Sequence, residues 1–155
     1  MVKKKACVFI SGSGTNLKAL IKSSREYNFP ISINYIISSS KRAKGIKFAK
    51  LYKIPYRILN LNKIINLETF LKDLKKRNIT IICLAGYMKI LSKRFINGFN
   101  KKIINIHPSL LPKYKGLNTF QKALKNNDKF TGCTVHYVNN KLDSGKIILK
   151  KRINI

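Results

Sequence analysis

Apolar and polar positions fall in blocks along the chain, and each block has a period that names an element. Ala6–Ser11 is an apolar run that ends in glycines, the pattern of a strand entering a tight turn. Segment 15–27 puts Leu17, Leu20 and Ile21 at helical spacing, with Thr15 or Asn16 near its start. Ile31–Ser38 predicts a second strand, "KRAKGIKFAKLY" a short helix stopped by "KIPY", and "YRILNL" a third strand. "NLETFLKDLKKRN" is the clearest amphipathic helix, with Leu67, Phe70, Leu71 and Leu74 on one face. Ile79–Gly86 is apolar on both faces, as a central parallel strand requires. A short helix near Ser92–Gly98 precedes a strand over Lys102–His107, and "TFQKALKNN" is the last helix. "FTGCTVHYV" and "GKIILKKRINI" predict two closing strands joined by "NNKLDS"; with no helix between them they pair antiparallel. Strands alternating with helices predict an α/β fold on a mostly parallel sheet, with an antiparallel C-terminal strand pair and helices on both faces. Ligands of such sheets gather beyond the carboxyl ends of the strands.

Length adds that 155 residues make one domain, 1–155, long enough to bury a core. No apolar run reaches the roughly 18–20 residues of a membrane span. The apolar stretch after "MVKKK" is shorter than the roughly 7–15 residues of a signal-peptide core, so a cytoplasmic protein is expected. Cys7, Cys83 and Cys133 are odd in number, sit in strand-like runs and form no C-x-x-C, which predicts buried reduced thiols. The formal charge is +28. A nucleic-acid partner is one reading, but the basic residues are spread over nearly every segment, the mark of a compositional bias. Either origin draws in anionic substrates.

Candidate chemistry starts at the first strand end, "SGSGTN". Gly12 and Gly14 allow close backbone approach, and a helix start offers free N–H groups to a phosphate. Leu17 occupies the third glycine position of the dinucleotide fingerprint, and a tight turn with no ligand is the alternative. At the other end of the chain, Asn105 and His107 stand two apart on a strand and so project to one side. Pro108 biases His107 to an extended conformation. An amide can hold an oxyanion and an imidazolium can donate a proton; a polar strand terminus is the alternative. His136 reads as a core or supporting histidine. Among five acids, Glu26, Glu68 and Asp73 lie in helix patterns and Asp128 in a turn, which leaves Asp143, in "KLDSG", as a carboxylate able to raise a histidine pKa.

The segments "FISGSGTNLKALI", "LAGYMKILS", "NIHPSLLPKYKG" and "GCTVHYVNNKLDSGKIIL" resemble, in this order and over nearly the whole chain, the folate-dependent formyltransferases of the phosphoribosylglycinamide branch. Asn-x-His-Pro-Ser-Leu-Leu-Pro followed by Leu-Asp-x-Gly is specific for the wider family; Ser-Gly-x-Gly-Thr-Asn points to the purine branch. The resemblance implies a Rossmann-like formyltransferase fold and formyl transfer from 10-formyltetrahydrofolate to the amine of 5-phosphoribosylglycinamide, with no metal. It implies Asn105, His107 and Asp143 as catalytic residues. Gly14, Thr15 and Asn16 would hold the substrate phosphate, and Pro108 would line the glycinamide side. Met88, Lys89, Ile90 and Leu91, with Asn139, Asn140, Lys141 and Leu142, would hold the folate. Spacing alone assigns "MKIL" to the core. Small-molecule partners and a monomer or homodimer are expected.

The chain departs from the family pattern in three places. Family members continue roughly 30–50 residues further, so the single domain is expected to lack the usual C-terminal extension and its ribose contact. Lys115, Asn118 and Phe120 stand where the family shows Pro, His and His. The arginine that contacts the folate tail has no clear counterpart around Asn60–Leu67, where Lys63 is the nearest cation. The rival readings are a methionyl-tRNA formyltransferase-like enzyme, which shares the Asn-His-Asp set, and a non-catalytic nucleic-acid-binding scaffold.

Overall fold

The computed structural model describes residues 2–61 and 67–155, so Lys63 lies outside the described residues. In chain order the described elements are β1 (Lys4–Ile10), α1 (Thr15–Ser24), β2 (Ile31–Ser38), α2 (Ile46–Leu51), β3 (Tyr56–Ile58), α3 (Leu67–Lys76), β4 (Ile81–Leu84), α4 (Lys93–Phe99), β5 (Lys102–His107), α5 (Thr119–Lys125), β6 (Phe130–Tyr137) and β7 (Ile147–Asn154). The alternation read from the sequence is the alternation observed. The chain forms two compact units, Met1–Ile103 and Ile104–Ile155, and the division falls within β5.

In the first unit the strands run in the order β3-β2-β1-β4, all parallel. Parallel strands joined by crossover helices are covered on their faces, which is why β1 reads as an unbroken apolar run. Ala6 to Ile10 are completely buried. Leu17 and Ile21 of α1 are buried, as are Leu67, Phe70 and Leu74 of α3. Phe95 of α4 lies 5.9 Å from Phe9 and 6.0 Å from Phe70, ring centre to ring centre. Each such side chain contributes about 1.5–3 kcal/mol by leaving water. The hydroxyl of Ser92 caps α4 by accepting the Phe95 N–H.

Several elements are shorter than their patterns suggest: β4 keeps Ile81–Leu84 of the Ile79–Gly86 run, and α1 ends at Ser24. The helix expected over "KRAKGIKFAKLY" begins only at Ile46, because Gly45 donates its N–H to the Gly12 carbonyl at 2.9 Å and is held by the first loop. The third strand keeps three residues after Pro55.

In the second unit the order is β5-β6-β7, and both pairings are antiparallel. The expected antiparallel pair, β6 with β7, is present, and the antiparallel pairing extends one strand further, to β5. That register sets Asn105 opposite His136 and His107 opposite Thr134. Cys7 and Cys83 are buried free thiols, and burial pushes Cys83 up to about 12; Cys133 is free but only half-buried, unlike the expectation. No described helix is long and apolar enough to cross a membrane.

Candidate active site

The second unit gathers its titratable groups through the β5–β6 register. Adjacent antiparallel strands place directly opposed side chains on the same face. Asn105 Nδ2 therefore lies 3.2 Å from His136 Nε2. His136 Nδ1 lies 2.8 Å from the Tyr137 carbonyl, which can only accept, so Nδ1 carries a proton. The free edge of that ring, Nε2, faces Asn105 and also Asp143 Oδ1 at 3.6 Å.

Asp143 enters from the loop between β6 and β7. It holds a left-handed backbone conformation with φ 43°. Two residues on, a Cβ at Gly145 would stand 1.7 Å from the Tyr137 carbonyl oxygen, so only glycine lets the loop close there. The carboxylate is shared. Oδ2 lies 3.4 Å from His107 Nδ1 and accepts the Gly116 N–H at 2.9 Å. His107 Nε2 in turn donates to the Tyr114 carbonyl at 2.8 Å. Three buried side chains thus form a continuous array, with Asn105 at one end and a backbone carbonyl at the other. His107, His136 and Asp143 are all nearly sealed from solvent, with side chains 5%, 2% and 8% exposed. Among the described residues no buried side-chain nitrogen or oxygen lacks a hydrogen-bond partner.

The electrostatics follow from this sharing. The neighbouring Asp143 carboxylate raises the His136 pKa; burial opposes that, and the Tyr137 carbonyl reinforces it. Burial pushes Asp143 upward, but the His136 imidazole, the Gly116 N–H and the His107 charge together hold it below the usual carboxylate value. The array therefore keeps a negative charge between two imidazoles, away from water.

The loop after β5 supplies the frame. Ser109 Oγ donates to the Lys113 carbonyl at 2.6 Å, and Thr134 Oγ1 donates to the Ser109 carbonyl at 2.7 Å while accepting the Leu111 N–H at 3.0 Å. Tyr114 has φ 55° and Gly116 φ 79°, and these two reversals turn the Tyr114 carbonyl toward His107 and the Gly116 N–H toward Asp143. Pro108 is exposed, and its carbonyl accepts from Thr119 Oγ1 at 2.6 Å.

The first unit brings together two of the sequence-predicted binding segments. Gly14, with φ 78°, stands at the N-terminus of α1, and no side chain caps that helix. Thr15 and Asn16 are exposed and leave the first-turn N–H groups open, the arrangement an anion needs. A Cβ on Gly14 would meet the Gly45 Cα at 2.4 Å. Gly45 thus supplies the close approach that the fingerprint's third glycine would give, and Leu17 is free to be core. Met88 donates its N–H to Ser11 Oγ at 2.9 Å, which ties the "MKIL" segment to the glycine loop. Met88 and Ile90 are 63% and 67% exposed, whereas Leu91 is 6% exposed. The core reading of "MKIL" holds for Leu91 alone. Asn139, Asn140, Lys141 and Leu142 form an exposed turn in which Asn139 Oδ1 accepts the Lys141 N–H at 2.9 Å.

The expectation that His136 is a core or supporting histidine agrees with its burial and with its contacts to Asn105 and Asp143, partners that its spacing alone did not name. Its signal was the register: if β6 runs antiparallel to β5, His136 falls opposite Asn105. The Tyr114 carbonyl left no signal, because a backbone group has no letter.

The formyl transferase family model matches residues 4–155. The chain is 42% identical to phosphoribosylglycinamide formyltransferase of Haemophilus influenzae over 156 residues, covering 98% of this chain and 74% of that protein. It is 43% identical over 159 residues to the human trifunctional purine biosynthetic protein adenosine-3; the match covers 99% of this chain and 16% of the human one. The chain thus spans about a sixth of that multifunctional protein's length. Among solved structures, phosphoribosylglycinamide formyltransferase from Anaplasma phagocytophilum superposes with a TM-score of 0.90 at 38% identity, over 99% of this chain and 74% of that one. By sequence and by fold, the chain belongs to the formyl transferase family.

Proposed function

We propose that the chain transfers a formyl group from 10-formyltetrahydrofolate to the amine of 5-phosphoribosylglycinamide, with residues 1–155 serving as one formyltransferase domain. The observation that supports this most is the shared carboxylate: Asp143 offers one oxygen to His107 and the other to His136, which touches Asn105. An amide, an imidazole and a base around one point are what acyl transfer to an amine requires.

The amine nitrogen's lone pair forms a bond to the formyl carbon, and the carbonyl electrons move onto oxygen. Asn105 N–H and His107 N–H stabilise that oxyanion; each such donor is worth about 10²–10³ in rate. In the structure the His107 Nε2 proton is given to the Tyr114 carbonyl, so in the reaction the formyl oxygen takes that carbonyl's place. Collapse of the intermediate returns the electrons to the carbonyl and breaks the bond to the folate nitrogen. That nitrogen gains a proton from His107 or from a water, and the amine's surplus proton goes to Asp143, so protons balance.

The binding roles follow the chemistry of each segment. Gly14, Thr15 and Asn16 offer N–H groups to the substrate phosphate. Pro108 lines the glycinamide side. The exposed apolar side chains of Met88 and Ile90, with Lys89 and Leu91, and the turn Asn139–Leu142 hold the folate.

The test is a side-by-side assay of formyl transfer from 10-formyltetrahydrofolate to phosphoribosylglycinamide and to methionyl-tRNA. Transfer to the first alone is expected. Transfer to the tRNA alone assigns the other branch, and transfer to neither, with salt-sensitive RNA binding, assigns a scaffold.

A further inference from the structure

Leu110, Lys113, Tyr114, Asp128, Lys129, Phe130, Thr131 and Arg152 of the second unit line a cavity of about 250 Å³. Neither Asn105, His107 nor Asp143 belongs to it. Its charge is unbalanced. Asp128 is its one acid, and both carboxylate oxygens are engaged, Oδ1 by Lys113 Nζ at 2.9 Å and Oδ2 by the Tyr114 hydroxyl at 2.8 Å. These contacts hold the Asp128 carboxyl below its ordinary value. Lys129 and Arg152 have no carboxylate partner among the described residues. The Arg152 guanidinium lies 4.4 Å from the centre of the Phe130 ring, a cation–π contact that holds it at the cavity. Thr131 lines the same cavity.

We propose that this cavity is a second anion site, separate from the glycine loop, and that it takes a small phosphate-bearing molecule. Guanidinium and ammonium groups around one cavity suit phosphate oxygens. The volume suits one or two phosphate groups and excludes a whole nucleotide. The site also reaches the catalytic array. Tyr114 lines the cavity, donates its hydroxyl to Asp128 and gives its carbonyl to His107. An anion that draws Lys113 away from Asp128 changes the charge beside the Tyr114 hydroxyl, which Asn126 Nδ2 also holds at 2.8 Å, and so couples the cavity to the carbonyl that His107 exchanges for substrate in the proposed reaction. The link to catalysis rests on the proposed role of His107; the anion site itself does not.

The experiment is a titration of the isotope-labelled full chain with sodium pyrophosphate at constant ionic strength, followed by NMR. Shifts at Tyr114, Lys129, Thr131 and Arg152, and at the His107 imidazole, are expected. Affinity should fall about tenfold or more in Lys129→Gln and in Arg152→Gln, both exposed positions, and stay unchanged in Lys47→Gln. An equal loss in Lys47→Gln means general attraction to a basic chain and overturns the site. So does a loss in Asn16→Ala with none in the two cavity variants, which places the anion at the glycine loop. Local binding that leaves the His107 resonances unmoved overturns the link to catalysis.

Discussion

His136 Nε2 stands 3.2 Å from Asn105 Nδ2, directly across the β5–β6 pair. The contact couples a titratable ring to the amide proposed to meet the oxyanion. When His136 is neutral, Nε2 accepts an Asn105 N–H; when it is charged, Nε2–H turns to Asp143 and the amide must present its oxygen instead. His136 is therefore a positioning residue, acting through Asn105 and Asp143.

Replacing His136 by Ala removes the partner of both. The loss should be about 1–2 kcal/mol, or roughly five- to thirtyfold in kcat. KM should hardly change, and His136→Gln, which can still bond the Asn105 amide, should recover part of the rate. Steady-state kinetics of the three proteins check this; an unchanged kcat in His136→Ala removes the positioning role.

The Asp143–His136 pair predicts a bounded pH range of added stability. His136 is raised above 6.5, so its contribution is complete below that value and is lost as pH climbs through the raised pKa. Asp143 is lowered from 3.8, so its contribution is complete above 3.8 and is lost as pH falls through the lowered pKa. The stability difference between the wild type and Asp143→Asn should thus be greatest at pH 4–6.5, shrinking on both sides. Urea unfolding of both proteins across pH 3–9 measures it.

Much of this was legible in advance, and the reasons are local. β1, α3 and β4 announce themselves because their apolar periods match the faces they bury. Asn105 and His107 are visible because a strand puts alternate residues on one side. What the sequence hides is pairing across distance. Gly14 and Gly45 are 31 positions apart, yet a Cβ on one would overlap the other. Asn105 and His136 are likewise 31 apart, and no period links them. α2 starts later than its pattern predicts for the same reason: Gly45, at its N-cap, donates its N–H to the distant Gly12 carbonyl.

The glycine contact can be tested alone. Gly14→Ala adds a methyl group 2.4 Å from Gly45 Cα at a φ of 78°. It should cost about 1–3 kcal/mol from overpacking, with further strain from the left-handed backbone. Thermal unfolding checks the loss, and a Tm equal to that of the wild type contradicts the close contact.

The "MKIL" segment separates surface from core. Met88→Gln and Ile90→Gln should change stability by no more than about 0.5 kcal/mol, since both side chains are exposed. They should raise the KM for the folate. Leu91→Ala, a buried truncation, should instead cost about 2–5 kcal/mol. If the two exposed variants bind folate as the wild type does, the segment is not part of the folate site.

His107 is where these lines meet, since Asp143 faces one of its ring nitrogens and the Tyr114 carbonyl accepts from the other. Single-turnover formyl transfer to phosphoribosylglycinamide, with His107→Ala and wild-type enzyme in excess over 10-formyltetrahydrofolate, isolates the chemical step. A fall of about 10²–10³ in the variant is predicted; a rate equal to that of the wild type would remove His107, and the array built around it, from the reaction.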